Sequence, residues 1–182
     1  AEKLFGPPDV VVSNAGTAPS AKVEHTSDAT LREVLDLHVA APLAFASAVA
    51  PAMKARGHGC LLHVASSAGR RGFPFTAAYT AAKHGMVGLA RALAAELEPR
   101  GVRVYAVCPG FVDTAITRTA AAAVAARGRT GADEAMRRMG EQNRIGRMHT
   151  ADEVAVAVAA LLRDRPAGCV YDLDREPPAF VD

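Results

Sequence analysis

Cys60-Leu61-Leu62-His63-Val64-Ala65-Ser66 is an apolar run that ends on a hydroxyl, and shortly after it the chain reads Ala77-Ala78-Tyr79-Thr80-Ala81-Ala82-Lys83-His84-Gly85. The first stretch has the length of a buried strand, Cys60 to Ala65, which delivers Ser66 at its carboxyl end. The second belongs to a long helix running from Phe75 to about Glu98 and stopped by Pro99-Arg100-Gly101. Tyr79 and Lys83 are four residues apart, slightly more than one helical turn, so phenol and ammonium share a face. A phenol beside a fixed cation is a candidate proton donor. Free tyrosine titrates near ~10, so acid–base work around neutrality calls for a downward shift of ~3 units, roughly 4 kcal/mol of preference for the phenolate. A lysine on the next turn of a water-excluding site can supply much of that shift. The Ser66 hydroxyl both donates and accepts, so it can hold a carbonyl or an alcohol in line with the phenol.

Outward from this stretch, strands and helices alternate, which predicts a parallel sheet covered on both faces. Asp9-Val10-Val11-Val12-Ser13 is a strand after Gly6-Pro7-Pro8. Ser27-Asp28 caps a helix carrying Leu31, Val34, Leu35 and Leu37, which continues, with a kink or break near Pro42, through Leu43, Phe45, Val49 and Met53 towards Gly57. Val102 to Val107 is the third strand, Thr150-Ala151-Asp152-Glu153 a capping box for a helix through Leu162, and Gly168 to Leu173 the last strand. Residues 115–149 hold two weakly amphipathic pieces, Ala120 to Ala126 and Ala132 to Met139. The polar and glycine-containing segments gather at strand carboxyl ends, where open α/β sheets bind ligands.

The 182 residues are half hydrophobic, enough for one core and a single domain. A net charge of +2 without a basic stripe, and only 5% aromatic residues, give nucleic-acid binding no support. No apolar run reaches the ~18 residues of a membrane span, and Ala1-Glu2-Lys3-Leu4-Phe5 lacks a signal-peptide pattern. Cys60, Cys108 and Cys169 are widely spaced and set in or beside apolar segments; they read as reduced thiols of a cytoplasmic protein. Neither they nor the scattered histidines have metal-site spacing. A serine hydrolase using Ser66 with His63 or His84 lacks the Gly-x-Ser-x-Gly elbow.

The order Ser13-Asn14-Ala15-Gly16, then Ser66-Ser67-Ala68-Gly69, then Tyr79-Thr80-Ala81-Ala82-Lys83, then Cys108-Pro109-Gly110-Phe111-Val112-Asp113-Thr114 resembles the short-chain dehydrogenase/reductase family over residues 9 to 165. Gly69, three residues past Ser66, puts Ser66 rather than Ser67 in the catalytic register. The resemblance implies a Rossmann-like doubly wound fold and hydride transfer between NAD or NADP and a small-molecule carbonyl or secondary alcohol. It implies Tyr79 as proton donor, Ser66 as orienter of the carbonyl and Lys83 as binder of the nicotinamide ribose. Asn14, Ala15 and Gly16 would border the adenosine side of the cofactor, Pro109, Gly110, Val112 and Thr114 the nicotinamide side. Residues 115–149 would be the substrate lid, and the chain a homo-oligomer.

Several features depart from the family pattern. His38 stands where the family has an asparagine that holds a relay water next to the lysine, so it is a candidate catalytic residue, or a helix histidine satisfied by a nearby carbonyl. Tyr105 replaces a further asparagine, and Asp172-Leu173-Asp174-Arg175-Glu176 replaces the Asp-Gly-Gly ending. A Thr-Gly-x-x-x-Gly-x-Gly turn is missing, so the expectation is an N-terminally truncated fold with about four of the usual seven strands. Lys83-His84-Gly85-Met86-Val87-Gly88 and Arg144-Ile145-Gly146-Arg147 look closest to ketoacyl or polyketide ketoreductases, whose anionic carrier Arg70 and Arg71 could meet. The alternative is a non-catalytic remnant serving as a binding or oligomerisation module.

Overall fold

The computed structural model describes residues 6–128 and 131–181; the start Ala1 to Phe5 and, within the 115–149 segment expected to form a lid, Arg129 and Thr130 lie outside them. Four strands run parallel in the order β1 (Val10–Ser13), β2 (Gly59–Val64), β3 (Val102–Cys108) and β4 (Val170–Asp172). A fifth, β5 (Ala179–Phe180), pairs antiparallel with β4. Sequence reading expects about four strands and does not find β5, because two residues after Pro177-Pro178 carry no strand pattern of their own.

Helices cover both faces. On one lie α1 (Asp28–Leu35), α2 (Ala41–Arg56) and α3 (Ala77–Leu97), whose Val49, Met53, Met86, Ala90 and Leu97 pack on Leu61, Val104 and Ala106. On the other, α6 (Ala151–Asp164) sets Leu161, Val154 and Val158 against Cys60, Leu62, Tyr105 and Val107. Burial on both faces explains why β2 and β3 read as continuous apolar runs rather than alternating ones. Tyr105 is the largest fully buried side chain, and its hydroxyl donates to the Pro166 carbonyl at 2.7 Å. The phenol thus fills the interior without leaving a bare polar group. Between β3 and α6 run α4 (Ala115–Arg127) and α5 (Ala132–Glu141), both longer than the pieces read from sequence.

Two local features differ from expectation. The break expected near Pro42 is a π turn, Asp36–Ala40, set just before the proline; it joins α1 to α2 in one continuous helical run, and Pro42 withholds an N–H where the hydrogen-bond spacing changes. The helix carrying Tyr79 starts at Ala77, because Phe75 adopts φ of 66°, outside helical geometry. The helical run Asp28–Arg56 has the length and composition of a membrane span, which the sequence reading did not anticipate. Val34, Ala46, Val49, Ala50 and Met53 on its inner side are buried in this fold, as in the core helix of an α/β domain.

Candidate active site

The site forms where β1, β2 and β3 end. Beyond β1 the chain runs through Asn14, Ala15 and Gly16; beyond β2 it reaches Ser66, and beyond β3 Pro109, Gly110, Val112 and Thr114. Ser66 has extended backbone, φ −175°, and opens a tight turn over Ser67–Gly69 in which its Oγ accepts from the Ala68 N–H at 3.1 Å. Its hydroxyl lies near enough to the Tyr79 phenol to lower that group's pKa. Ser67 is instead buried, and its N–H donates to the Pro109 carbonyl at 2.6 Å. Gly69 allows the turn to sit on α3: a Cβ there would come within 2.7 Å of the Lys83 carbonyl. Gly69 therefore does more than mark the serine register.

Lys83 is only 4% exposed. Its ammonium donates to the Val64 carbonyl at 2.9 Å and stands 5.7 Å from the centroid of the Tyr79 ring. Burial pushes its pKa down to about 8. The Tyr79 phenol moves the other way: burial raises it above its ordinary value, with the Ser66 hydroxyl offsetting part of the rise. The downward phenol shift anticipated from Lys83 is thus reversed in this chain, because a dry pocket penalises phenolate and ammonium alike.

His38 is fully buried in the π turn, edge-on to Tyr79 with ring centroids 5.7 Å apart. Its Nε2 donates to the Thr17 carbonyl at 2.9 Å, which leaves Nδ1 as a bare acceptor, buried and without a protein partner. Burial and, second, the Lys83 charge lower its pKa. The carbonyl-satisfied reading of His38 thus holds for Nε2, while Nδ1 is buried without a partner. Gly16 borders it, since a Cβ there would lie 2.8 Å from His38 Cε1.

The Pro109–Thr114 segment is braced from the far side by residues the sequence did not single out. Asn143 Oδ1 accepts from the Phe111 N–H at 2.6 Å, and Nδ2 donates to the Phe111 carbonyl at 2.9 Å. Val112 bridges His149, and Thr114 caps the start of α4. Asn143 belongs to no recognisable motif and lies 32 positions from its partner, so no local signal marks it. Arg70 and Arg71, expected to face an anionic carrier, turn inward to the buried Asp172 and Asp174. His63 is buried with both ring nitrogens unpartnered, and His84 bonds the Thr80 carbonyl of its own helix.

A parallel sheet wrapped on both faces, with a serine, a tyrosine and a lysine converging at the carboxyl ends of its strands, defines a Rossmann-like α/β protein. The chain belongs to the short-chain dehydrogenase/reductase family: the family profile described as enoyl-(acyl carrier protein) reductase matches residues 1–170. It is similar to the monensin polyketide synthase putative ketoacyl reductase of Streptomyces virginiae, 33% identical over 165 residues, 90% of this chain and 63% of that protein. It is also 31% identical over 163 residues to the 3-oxoacyl-(acyl-carrier-protein) reductase of Escherichia coli, covering 90% of this chain and 62% of the relative. Among solved structures, levodione reductase superposes with a TM-score of 0.86 at 28% identity, over 95% of this chain and 67% of that one. The chain thus spans less than two thirds of the length of these curated relatives.

Proposed function

We propose that the chain carries the proton-transfer and nicotinamide side of an NAD(P)-dependent ketoreductase that turns a ketone on an acyl or polyketide-type substrate into a secondary alcohol. The observation that carries this reading is the Ser66–Tyr79–Lys83 arrangement: a phenol near the serine hydroxyl, with a buried ammonium one turn away, 5.7 Å from the ring centroid. The substrate class rests on similarity to proteins named ketoacyl reductases from Streptomyces and Escherichia coli.

The residues present fit the nicotinamide end of the cofactor. Lys83 spends one N–H on Val64 and points a second weakly at Met86 Sδ, 3.9 Å away, which leaves its ammonium able to donate to a ribose hydroxyl, while the backbone from Pro109 to Thr114 is braced at the strand ends. A bound nicotinamide supplies the hydride. Ser66 holds the carbonyl oxygen in line with the phenol, and Tyr79 gives its proton to that oxygen as negative charge develops. His38 presents its free Nδ1 beside Tyr79 as a hydrogen-bond acceptor, the relay role proposed for it being to hold a water rather than to supply a proton. Residues 115–149 would close over the substrate. The free thiols fit a cytoplasmic setting, and assembly into a homo-oligomer is part of the same proposal.

Fluorescence titration of the chain with NADH and NADPH tests the reading, followed by turnover of a short 3-ketoacyl thioester. No binding at millimolar cofactor sinks it. Tyr79→Phe is expected to lower kcat by about 100-fold or more, within the range for general acid catalysis, while cofactor affinity stays within about twofold. Retained turnover would move the proton donor elsewhere.

A further inference from the structure

Four segments distant in sequence meet beside the site: the turn after Ser66, the Pro109–Phe111 loop, residues 142–149 and the chain after β4. At their junction lie two carboxylates, each 2% exposed at the side chain. Asp174 Oδ1 accepts from the Arg144 N–H at 3.0 Å, and its Oδ2 accepts from Arg71 Nη2 at 3.0 Å. Asp172 Oδ2 pairs with Arg70 and lies 3.8 Å from Arg144 Nη1, while its Oδ1 accepts from the Asp174 N–H at 3.1 Å. Arg71 also donates to the Gln142 carbonyl at 2.9 Å, and Asn143 clamps Phe111. Ser67 closes the ring on Pro109. Ser67, Arg70, Arg71, Arg144, Asp172 and Asp174 line a small open cavity, while on the loop side the fit is close: a Cβ on Gly110 would come within 2.7 Å of Asp174 Oδ1.

A buried ion network of this kind adds little net stability, because desolvating the charges offsets most of their attraction. Its effect is geometric. We infer that Asp172 and Asp174 are positioning residues that fix the turn carrying Ser66 and the Pro109–Phe111 loop relative to each other, so that the two sides of the reaction site meet in register. Arg70 and Arg71 are the ties from the serine turn, and Asn143–Arg144 is the tie to the loop. The inference rests on the proposed roles of Ser66 and the Pro109–Thr114 segment.

Amide hydrogen exchange on the full chain tests the clasp without any turnover. In Asp174→Ala, exchange at Ser67, Phe111 and Arg144 is expected to quicken at least tenfold, while Leu62 and Val104 in the ladder between β2 and β3 stay within twofold. Asp174→Asn, which keeps an acceptor for the Arg144 N–H, should protect Arg144 better than Ala does. Arg71→Gln removes one tie from the rim and carries the same test should Asp174→Ala fail to fold. Uniform acceleration across the sheet would make the pair a general stabiliser, and no change would remove its role; either overturns the inference. In the ketoreductase assay these variants should lower kcat about tenfold with an unshifted pH profile, and wild-type kcat would overturn it too. A wild-type chain without turnover counts against the proposed function alone, since the exchange measurement still decides the clasp.

Discussion

Lys83 shows at the scale of one side chain how function opposes stability. Its folded pKa of about 8 lies below the ordinary value of 10.5. Below about pH 8 both folded and unfolded chains hold the proton, and the folded chain bears the full burial cost, about 3 kcal/mol. Between pH 8 and 10.5 the folded chain gives up its proton first, so the cost fades as pH rises. Lys83→Met is therefore expected to raise unfolding stability at pH 7 by about 2 kcal/mol after the lost Val64 hydrogen bond is allowed for, and by much less near pH 10. Urea midpoints at the two pH values check it, and equal gains at both would refute the burial argument. His63 titrates in the other window. Burial, with a smaller push from Lys83, lowers it from 6.5 to about 4, so the folded chain resists a proton the unfolded chain accepts. Stability should fall by about 3 kcal/mol as pH drops through that window, and His63→Leu should flatten this slope. Parallel profiles for the two proteins would sink the assignment.

At the scale of elements, the junction of α2 and β3 shows what the residue pattern reveals and what it hides. Pro99-Arg100-Gly101 reads as a helix stop from sequence, and Gly101 does take the left-handed φ of 80°. That Gly57, at φ 71° after α2, lies directly against it is a tertiary fact with no local sign. A Cβ on Gly101 would run into the Gly57 carbonyl. Gly101→Ala should destabilise the chain by more than about 2 kcal/mol, from positive-φ strain plus a backbone shift. Thermal unfolding measures it, and a loss under half that would show the junction to be soft. The same division runs through the site. Ser66, Tyr79 and Lys83 are legible because strand end and helical turn fix their spacing locally. Asn143, Asp172 and Asp174 are not, because they act through partners 30 or more positions away. The π turn around His38 is legible only as a break near Pro42; its form and its place at Asp36–Ala40 have no local sign.

For the whole molecule, the governing feature is an asymmetric sheet. Among the described residues β1 pairs on one side only, with β2, whereas the opposite edge ends in the short antiparallel β5. The β1 edge carries Val10, Val11 and Val12, with Val12 42% exposed. An apolar strand with unpaired N–H and C=O groups is a template for adding another strand, and it holds no lysine or proline to discourage this. The single-layer logic that makes β1 easy to read, three consecutive valines, is what makes its edge adhesive. In the 182-residue chain taken by itself, self-association through this edge should therefore grow with protein concentration, and Val12→Lys should suppress it by placing a solvated charge on the strand without touching the Ser13 to Gly16 segment. Sedimentation velocity across a hundredfold concentration range separates the cases. Species larger than a closed dimer should be present in the parent chain and absent in Val12→Lys. An identical distribution in both proteins would place any association on another surface and leave the edge inert.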